Sequence, residues 1–429
     1  MKQRRSRSSA AASPSATGPR ATPWAVLIVA VAAAYLGIFL NPGMLWYLGV
    51  QHYDFWFADV FALLASNDAV VRGLNPYAVN PLDIFGRPHV YSHWWLELRH
   101  LGLTRADQAW LGPLVVILFV TAALAWLRPR DPRQLAYALL VMVASPILLA
   151  CDRANNDLIV FLVLTPLVPC LTAERPWLRW LAPVIVALAA GLKYYPAAAG
   201  LVLLAPFGSV QERRWRLLAG VALLALTAWS VAPDLAIFGP LAPKPTGWMS
   251  FGAVSLWNEL QWSSPLSKAV LLALSVALVI WAWRSRLLAD WTPSPANQGA
   301  WLRFVLGAVL LTGCFLTSAN FSYRWVFALW LPPLLWSLSD DATAPAPARR
   351  LAGVTRWLLL GVLWLDTVYS WIIIAARNSL PQEILRDWVK WSFVAEQPVT
   401  WAFFACLLVF LARFTRLGLA ALLRSDPAR

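Results

Sequence analysis

The stretch CDRANND, residues 151–157, sets two aspartates, an arginine and two asparagines between the apolar runs ALLVMVASPILLA and LIVFLVLTPLV. Carboxylates can accept a proton or pair with a cation, and a guanidinium can grip a phosphate through parallel hydrogen bonds. A helix cap explains part of the stretch: Asn155 or Asn156 suits the N-cap of a helix opening at Asp157, whose charge complements the dipole. The cap leaves Asp152 and Arg153 unexplained, because charges between apolar runs are costly unless paired or wet. Similar residue types recur elsewhere: Asp54, Asp59 and Asp68 in residues 53–72, Lys193 with Tyr194 and Tyr195, Glu259 in SLWNELQ, and Asn320, Tyr323 and Arg324 in SANFSYR. All four histidines, His52, His89, His93 and His100, fall within residues 51–108. His89 and His93 have i,i+4 metal spacing, but Pro88 and the surrounding turn residues argue against a helix there, so they read as polar lining. Asp152 and Asp157 leave a divalent metal open; nothing in the chain requires one.

The elements that position these residues follow from composition. Of 429 residues, 60% are hydrophobic and 13% charged, against about 25% charged in soluble domains. Apolar runs near the ~20 residues that span a bilayer recur from residue 24 to residue 412. The fold class read from this is an all-α polytopic membrane protein. The net charge of +14 would suggest nucleic acid in a soluble protein; here Lys and Arg flank apolar runs, which is a topology signal and excludes that class. The 27 tryptophans suit an interfacial belt. The four cysteines, Cys151, Cys170, Cys314 and Cys406, form no CxxC pair, so at most one bridge, Cys151 to Cys314, stays open.

Twelve spans can be drafted: 24–48, 109–127, 135–150, 157–173, 180–192, 196–207, 217–233, 266–283, 300–317, 325–338, 353–375 and 398–412. Residues 1–22 read as a disordered basic cytoplasmic tail, 23–412 as one membrane domain, and 413–429 as a second cytoplasmic tail. With the N-terminus inside, the basic connectors RPRDPR, ERPWLR, QERRWR, RSR and PAPARR all fall on the cytoplasmic side. Residues 180–207 lie between two basic loops that share a side, so the run turns back near Lys193 as two short helices, with Lys193 in a wet cavity. The 51–108 loop, CDRANND, the Lys193 corner, the 234–265 loop and SANFSYR then meet on the outer face. Within the first loop, Phe57, Val60, Phe61, Leu64 and Val71 make a helical stripe over 53–72 that lies along the membrane surface and ends at Gly73, before the Asn75-Pro76 turn. A helix through both Asp54 and Asp59 would point them about 140° apart. After the eleventh span, ARNSLPQEILRDWVKWSFVAEQ reads as an amphipathic surface segment.

An acid after the first span, a helix ending RGLNPY, then RANNDLIVFLVL, GLKYYPAAAGLVLLAP, a basic RRWR loop and NFSYRWVFAL follow one another in this order. The set resembles the bacterial polyprenyl-phosphate-sugar-dependent glycosyltransferases of the membrane-embedded C-type fold, most closely glycosyltransferase family 87, across most of residues 24–340. NPLDIFGRPHVYSHWW resembles an uncharacterised subgroup of that family. The resemblance implies a cell-membrane enzyme that moves a sugar, with mannose the family-level choice, from a polyprenyl-phosphate donor to a hydroxyl of a lipid or glycan acceptor on the outer face. It implies a first-loop carboxylate as base; by spacing to Gly73-Leu74-Asn75-Pro76-Tyr77 that is Asp59, with Asp54 and Asp68 as departures from the usual pattern. The departing phosphate calls for cations and donors, here Arg153, Lys193, Arg324 and Tyr323. Asn75, Tyr77, Arg87, His89, His93, Asp152, Asn155, Asn156, Tyr194, Tyr195, Glu259 and Asn320 are then candidate substrate contacts. Arg324 on a non-cytoplasmic span end runs against the charge bias, which favours phosphate binding over snorkelling. No GxGxxG loop for a nucleotide-sugar donor is present. A lipid-linked-sugar transporter or flippase is the competing class, since a broken helix with a buried lysine is also a transporter feature.

This topology predicts both termini in the cytoplasm and residues 51–108 and 376–396 outside. Cysteines introduced near Arg99 should react with an impermeant thiol reagent in intact cells, and cysteines near Arg130 or Arg214 should not. The reverse labelling pattern overturns the scheme.

Overall fold

In the computed structural model, residues 21–423 are described, except 244, 246, 263 and 378; the expected N-terminal tail falls almost wholly outside these. Proline and short polar caps set where the apolar runs start and break. After α1 (Ala21–Leu40) and the short α2 (Gly43–Tyr47), the first loop carries α3 (Ala58–Val71) and returns to α4 (Gln108–Trp126). Asp131 caps α5 (Pro132–Met142) by accepting from the Arg133 and Gln134 amides, and Pro146 near the start of α6 (Ser145–Arg153) accompanies a 49° bend between the two. Pro166 separates α7 (Asn156–Leu164) from α8 (Leu167–Thr172). The short α9 (Pro176–Arg179) leads into α10 (Leu181–Leu192), which stops at Lys193, and a 3-10 helix, Tyr195–Leu204, runs on from there. The expected pair of short helices meeting at Lys193 is therefore present.

Ser209 caps α11 (Val210–Phe238). The short α12 (Ser255–Glu259) precedes α13 (Pro265–Arg284) and α14 (Gln298–Thr317). A further 3-10 helix, Ser322–Trp330, continues into α15 (Pro332–Asp340), followed by α16 (Ala346–Ala376) and α17 (Gln382–Leu423). Strands are confined, among the described residues, to one antiparallel ladder in which β1 (Ser250–Phe251) pairs with β2 (Asn320–Phe321).

The protein is an all-α polytopic membrane protein. Seven helices are long and apolar enough to cross a membrane, and the bent α5–α6 pair makes an eighth if it is one span. The stretches 156–172, 176–192 and 195–204, which overlap the expected spans 157–173, 180–192 and 196–207, are shorter apolar helices. The outer helices α1, α11 and α13 turn apolar side chains outward: Val29, Trp229 and Leu266 are largely exposed, as hydrocarbon contact requires and water would not favour. The core is built on α14, most of which is buried. Around it Phe315 stacks on Phe404 at 4.0 Å, and Phe161 on Trp330 at 4.2 Å.

Gly49 shows how closely the backbones approach. Its φ is +80°, and a Cβ there would sit 2.7 Å from the Asp366 carbonyl. Thr367 and Ser370 of α16 donate to the Leu48 and Trp46 carbonyls beside it, at 2.9 and 2.7 Å.

Two expectations change, and one open alternative closes. Residues 382–423 are one 42-residue helix, about 63 Å long at 1.5 Å per residue, so the surface segment and the last span are continuous, and the expected tail from 413 is helical to Leu423. The first-loop helix begins at Ala58, not at 53, because Phe57 adopts the left-handed conformation. The Cys151–Cys314 bridge is not formed: all four cysteines are free, Cys151 facing the Tyr35 hydroxyl and Cys314 the Arg324 guanidinium.

Candidate functional site

The site is assembled from four helix ends. Asn155 caps α7, its side-chain oxygen accepting from the Asp157 amide at 2.9 Å, while Ala154 before it takes the left-handed conformation that ends α6. The cap leaves the Asn155 amide nitrogen free to donate to Asp59 at 2.6 Å. Asp59 lies in the first turn of α3 and is 8% exposed. Its other oxygen accepts from Arg87 at 3.2 Å, and Arg87 also pairs with Asp83 at 2.9 Å and donates to the Ala58 carbonyl. The α3 end is joined to α6 by the backbone, the Phe57 amide donating to the Asp152 carbonyl at 2.7 Å.

Asp157, with no exposed surface, is the centre of the cluster. It pairs with Lys193 and accepts from the Tyr195 hydroxyl at 2.6 Å, while Arg324 stands 3.8 Å away. Arg324 lies over the Tyr195 ring at 4.7 Å and is held by Asn320, which in turn donates to the Cys314 and Ser318 carbonyls, both at 2.7 Å. Lys193 sits over the rings of Tyr91, at 5.4 Å, and Tyr323, at 5.7 Å. Burial, then the carboxylates of Asp59 and Asp157, push the Tyr91 phenol well above its usual range, so it stays a donor. Asn156 is fully buried and lies against the Tyr91 side chain.

Asp152 is joined to His52 at 2.6 Å. Arg153, at the end of α6, stacks over Tyr53 at 5.1 Å; its Nε has no partner, and it makes no ion pair among the described residues.

A second cluster closes the first loop onto α11. Asp234 accepts from the His93 amide and ring, at 2.9 and 2.8 Å, and from the Tyr77 hydroxyl at 3.3 Å. Burial and then Asp234 push the Tyr77 phenol up to about 12. Tyr194 stacks on Phe238 of the same helix at 5.6 Å. His89 is buried against the Ser92 carbonyl at 3.1 Å, and burial pulls its imidazolium down to about 4, so it is neutral at pH 7.

The structure thus gathers Asp59, Arg87, Asn155, Asn156, Lys193, Tyr195, Asn320, Tyr323 and Arg324 into one cluster, with Asp152 and Arg153 at its flank. Tyr77, His93 and Tyr194 belong to the Asp234 clamp. Asn75 is a turn residue, its side chain accepting from the Tyr77 amide at 2.9 Å. Glu259 lies outside the cluster and accepts from the Gly247 amide at 3.1 Å, closing the 247–259 loop. Asp54 is exposed and precedes α3 with φ +55°, so the helical angle between it and Asp59 does not apply. His89 and His93 turn to different partners, and among the described residues no group of three or more His, Cys, Asp or Glu is placed to hold a metal ion.

Asp234, Tyr91 and Asp83 were missed as functional candidates. Asp234 had a signal, an acid inside the apolar run SVAPDLAIF. No family model, curated relative or solved structure matches the chain.

The pH dependence of stability carries the mark of His89. Its folded value lies below the unfolded one, so the unfolded chain binds more protons between about 6.5 and 4. The stability from a neutral His89 is present above pH 6.5 and is lost as pH falls toward 4, on the order of 3 kcal/mol over the full interval. Unfolding of the detergent-solubilised protein should show a shallower loss from pH 6.5 to 4 in His89→Gln than in the parent. Equal slopes would exclude this assignment.

Proposed function

We propose that the protein is a membrane-embedded glycosyltransferase of the C-type fold, with twelve crossings. It takes a sugar, mannose being the first candidate, from a polyprenyl-phosphate donor and places it on a hydroxyl of a lipid or glycan acceptor. The proposal puts both termini in the cytoplasm and the Asp59 cluster on the outer face of the cell membrane. The observation that carries it is Asp59: a nearly buried carboxylate, aimed by Asn155 and Arg87, in a cluster that also holds Arg324 and is flanked by Arg153.

The acceptor oxygen attacks the anomeric carbon as its proton passes to Asp59. The bond from that carbon to the phosphate oxygen breaks, and the electron pair leaves with the polyprenyl phosphate. Charge-assisted donors stabilise the departing oxygens. Arg324, only loosely paired at 3.8 Å, and Arg153, without a carboxylate partner among the described residues, have donors to spare. Lys193 is already committed to Asp157, so its role is to hold the cluster in place.

A transporter of a lipid-linked sugar is favoured by one feature, the helix break at Lys193 beside a buried carboxylate. The two readings differ in chemistry: a transporter leaves the sugar–phosphate bond intact, whereas the enzyme releases free polyprenyl phosphate.

Asp59→Asn keeps the shape and removes the base. Purified protein given a panel of polyprenyl-phosphate sugars and membrane-extract acceptors should release polyprenyl phosphate, and Asp59→Asn should slow that release by about 100-fold or more. Asp54→Asn, at an exposed position outside α3, should stay within a few-fold of the parent. Near-parental release by Asp59→Asn, or loss confined to Asp54→Asn, moves the base to another carboxylate. No release by the parent from any donor of the panel contradicts the enzyme reading.

A further inference from the structure

At the opposite end of the bundle from Asp59, a cavity of about 910 Å³ opens between the ends of α1, α4, α14 and α15. Helix α4 connects the two regions. Near its first residue, Gln108 donates to the Trp56 carbonyl beside the site, and its last residue, Trp126, lines the cavity, about 28 Å away along 19 residues.

The cavity wall presents donors in excess of acceptors. Arg303 of α14 has its guanidinium carbon 3.1 Å from the Trp126 ring centre, and Arg128 sits over Trp24 at 5.6 Å. Arg303 has no ion-pair partner among the described residues, and the charged side chain that acts on it is another cation, Arg128. Three buried N–H groups lining this one cavity, Arg303 Nε, Trp126 Nε1 and Trp336 Nε1, meet no acceptor. Trp336 is only 3% exposed. An unpaired buried donor costs about 1–3 kcal/mol, and more when charged, so three around one cavity point to an acceptor-rich guest.

The acids of the wall do not supply it. Asp340 is engaged by Ser339, Gln134 and Arg356, at 3.1, 3.5 and 3.9 Å, and Asp341 by Thr343. Beside Trp24, Val26 and Val29 of α1 turn outward and are exposed, which puts an apolar flank next to the charged mouth.

We propose that this cavity binds a phosphate group, such as a phospholipid headgroup or a free phosphate ester presents. Planar guanidinium donors match phosphate oxygens, the indole N–H groups add two neutral donors, and the outward face of α1 accommodates acyl chains when the phosphate belongs to a lipid.

The test is equilibrium binding to the full chain in neutral detergent, followed by native mass spectrometry. The probes are dioleoylphosphatidylglycerol, dioleoylphosphatidylcholine and inorganic phosphate, each added separately. The parent should retain phosphatidylglycerol; Arg303→Gln should weaken it by about tenfold or more, given the strength of charge-assisted pairs. Trp336→Phe, which keeps an aromatic side chain but removes the indole N–H, should weaken it by roughly three- to tenfold. Arg214→Gln, a basic site elsewhere on the bundle, should match the parent. Retention of phosphatidylglycerol without inorganic phosphate assigns the lipid as source; retention of both, each lost in Arg303→Gln, assigns the phosphate group itself. Parental binding by both cavity variants overturns the proposal, as does a parent that retains neither probe.

Discussion

A carboxylate without exposed surface constrains everything packed around it. Asp157 is such a group: removed from water at the start of α7, it requires cations and donors from other elements, and it has Lys193 from the end of α10, the Tyr195 hydroxyl, and Arg324 from the 3-10 helix after β2. Lys193 is where the apolar run of 180–207 breaks, and the break is what lets a lysine reach a carboxylate inside the bundle. Desolvating both charges costs several kcal/mol, so such a pair is a poor source of stability but a strict specifier of geometry. Three chain segments far apart in sequence are fixed in register by one side chain.

From this centre the order spreads outward. The cap that starts α7 at Asn155 is the group that aims Asp59, so capping and site-building are one act of one residue. Asn320 does the same on the other side, with β2 pairing to β1 and its amide anchored on carbonyls while its oxygen holds Arg324. The first loop is pinned twice, by Arg87 to Asp59 and by His93 and Tyr77 to Asp234. The elements that meet at the cluster are short, namely α6, α7, α10 and the 3-10 helices 195–204 and 322–330, whereas α16 and α17 are long. Broken backbone is tolerated at membrane depth only where protein or water satisfies it, and the polar cluster does that here.

Much of this was legible in the chain because the signals are local. The CDRANND cap, the break at Lys193, the Gly73 stop and the polar SANFSYR corner follow from residue type and spacing over a few positions. The membrane class follows from composition. The failures are tertiary. The stripe from Phe57 to Val71 extends by periodicity back over Asp54, whereas Phe57, left-handed and donating its amide to Asp152, starts the helix only at Ala58. Lys193 is visible in the sequence as a lone cation, whereas the carboxylate it meets, Asp157, lies 36 residues away and is not linked to it by any local signal. The continuity of α17 was hidden by polar residues that its unusual length carries. Asp234, Asp366 and Glu396 stood as acids inside or beside apolar helices, a signal that could have been followed.

The central claim is that Asp157 and Lys193 form one energetic unit around which the site is built. A double-mutant cycle measures this directly, with Asp157→Asn, Lys193→Met and the double variant unfolded in mixed micelles. Each single change leaves a buried group without its partner and should cost about 3–5 kcal/mol, while the double variant should cost less than their sum by about 1–3 kcal/mol. Additivity to within about 0.5 kcal/mol would contradict the account.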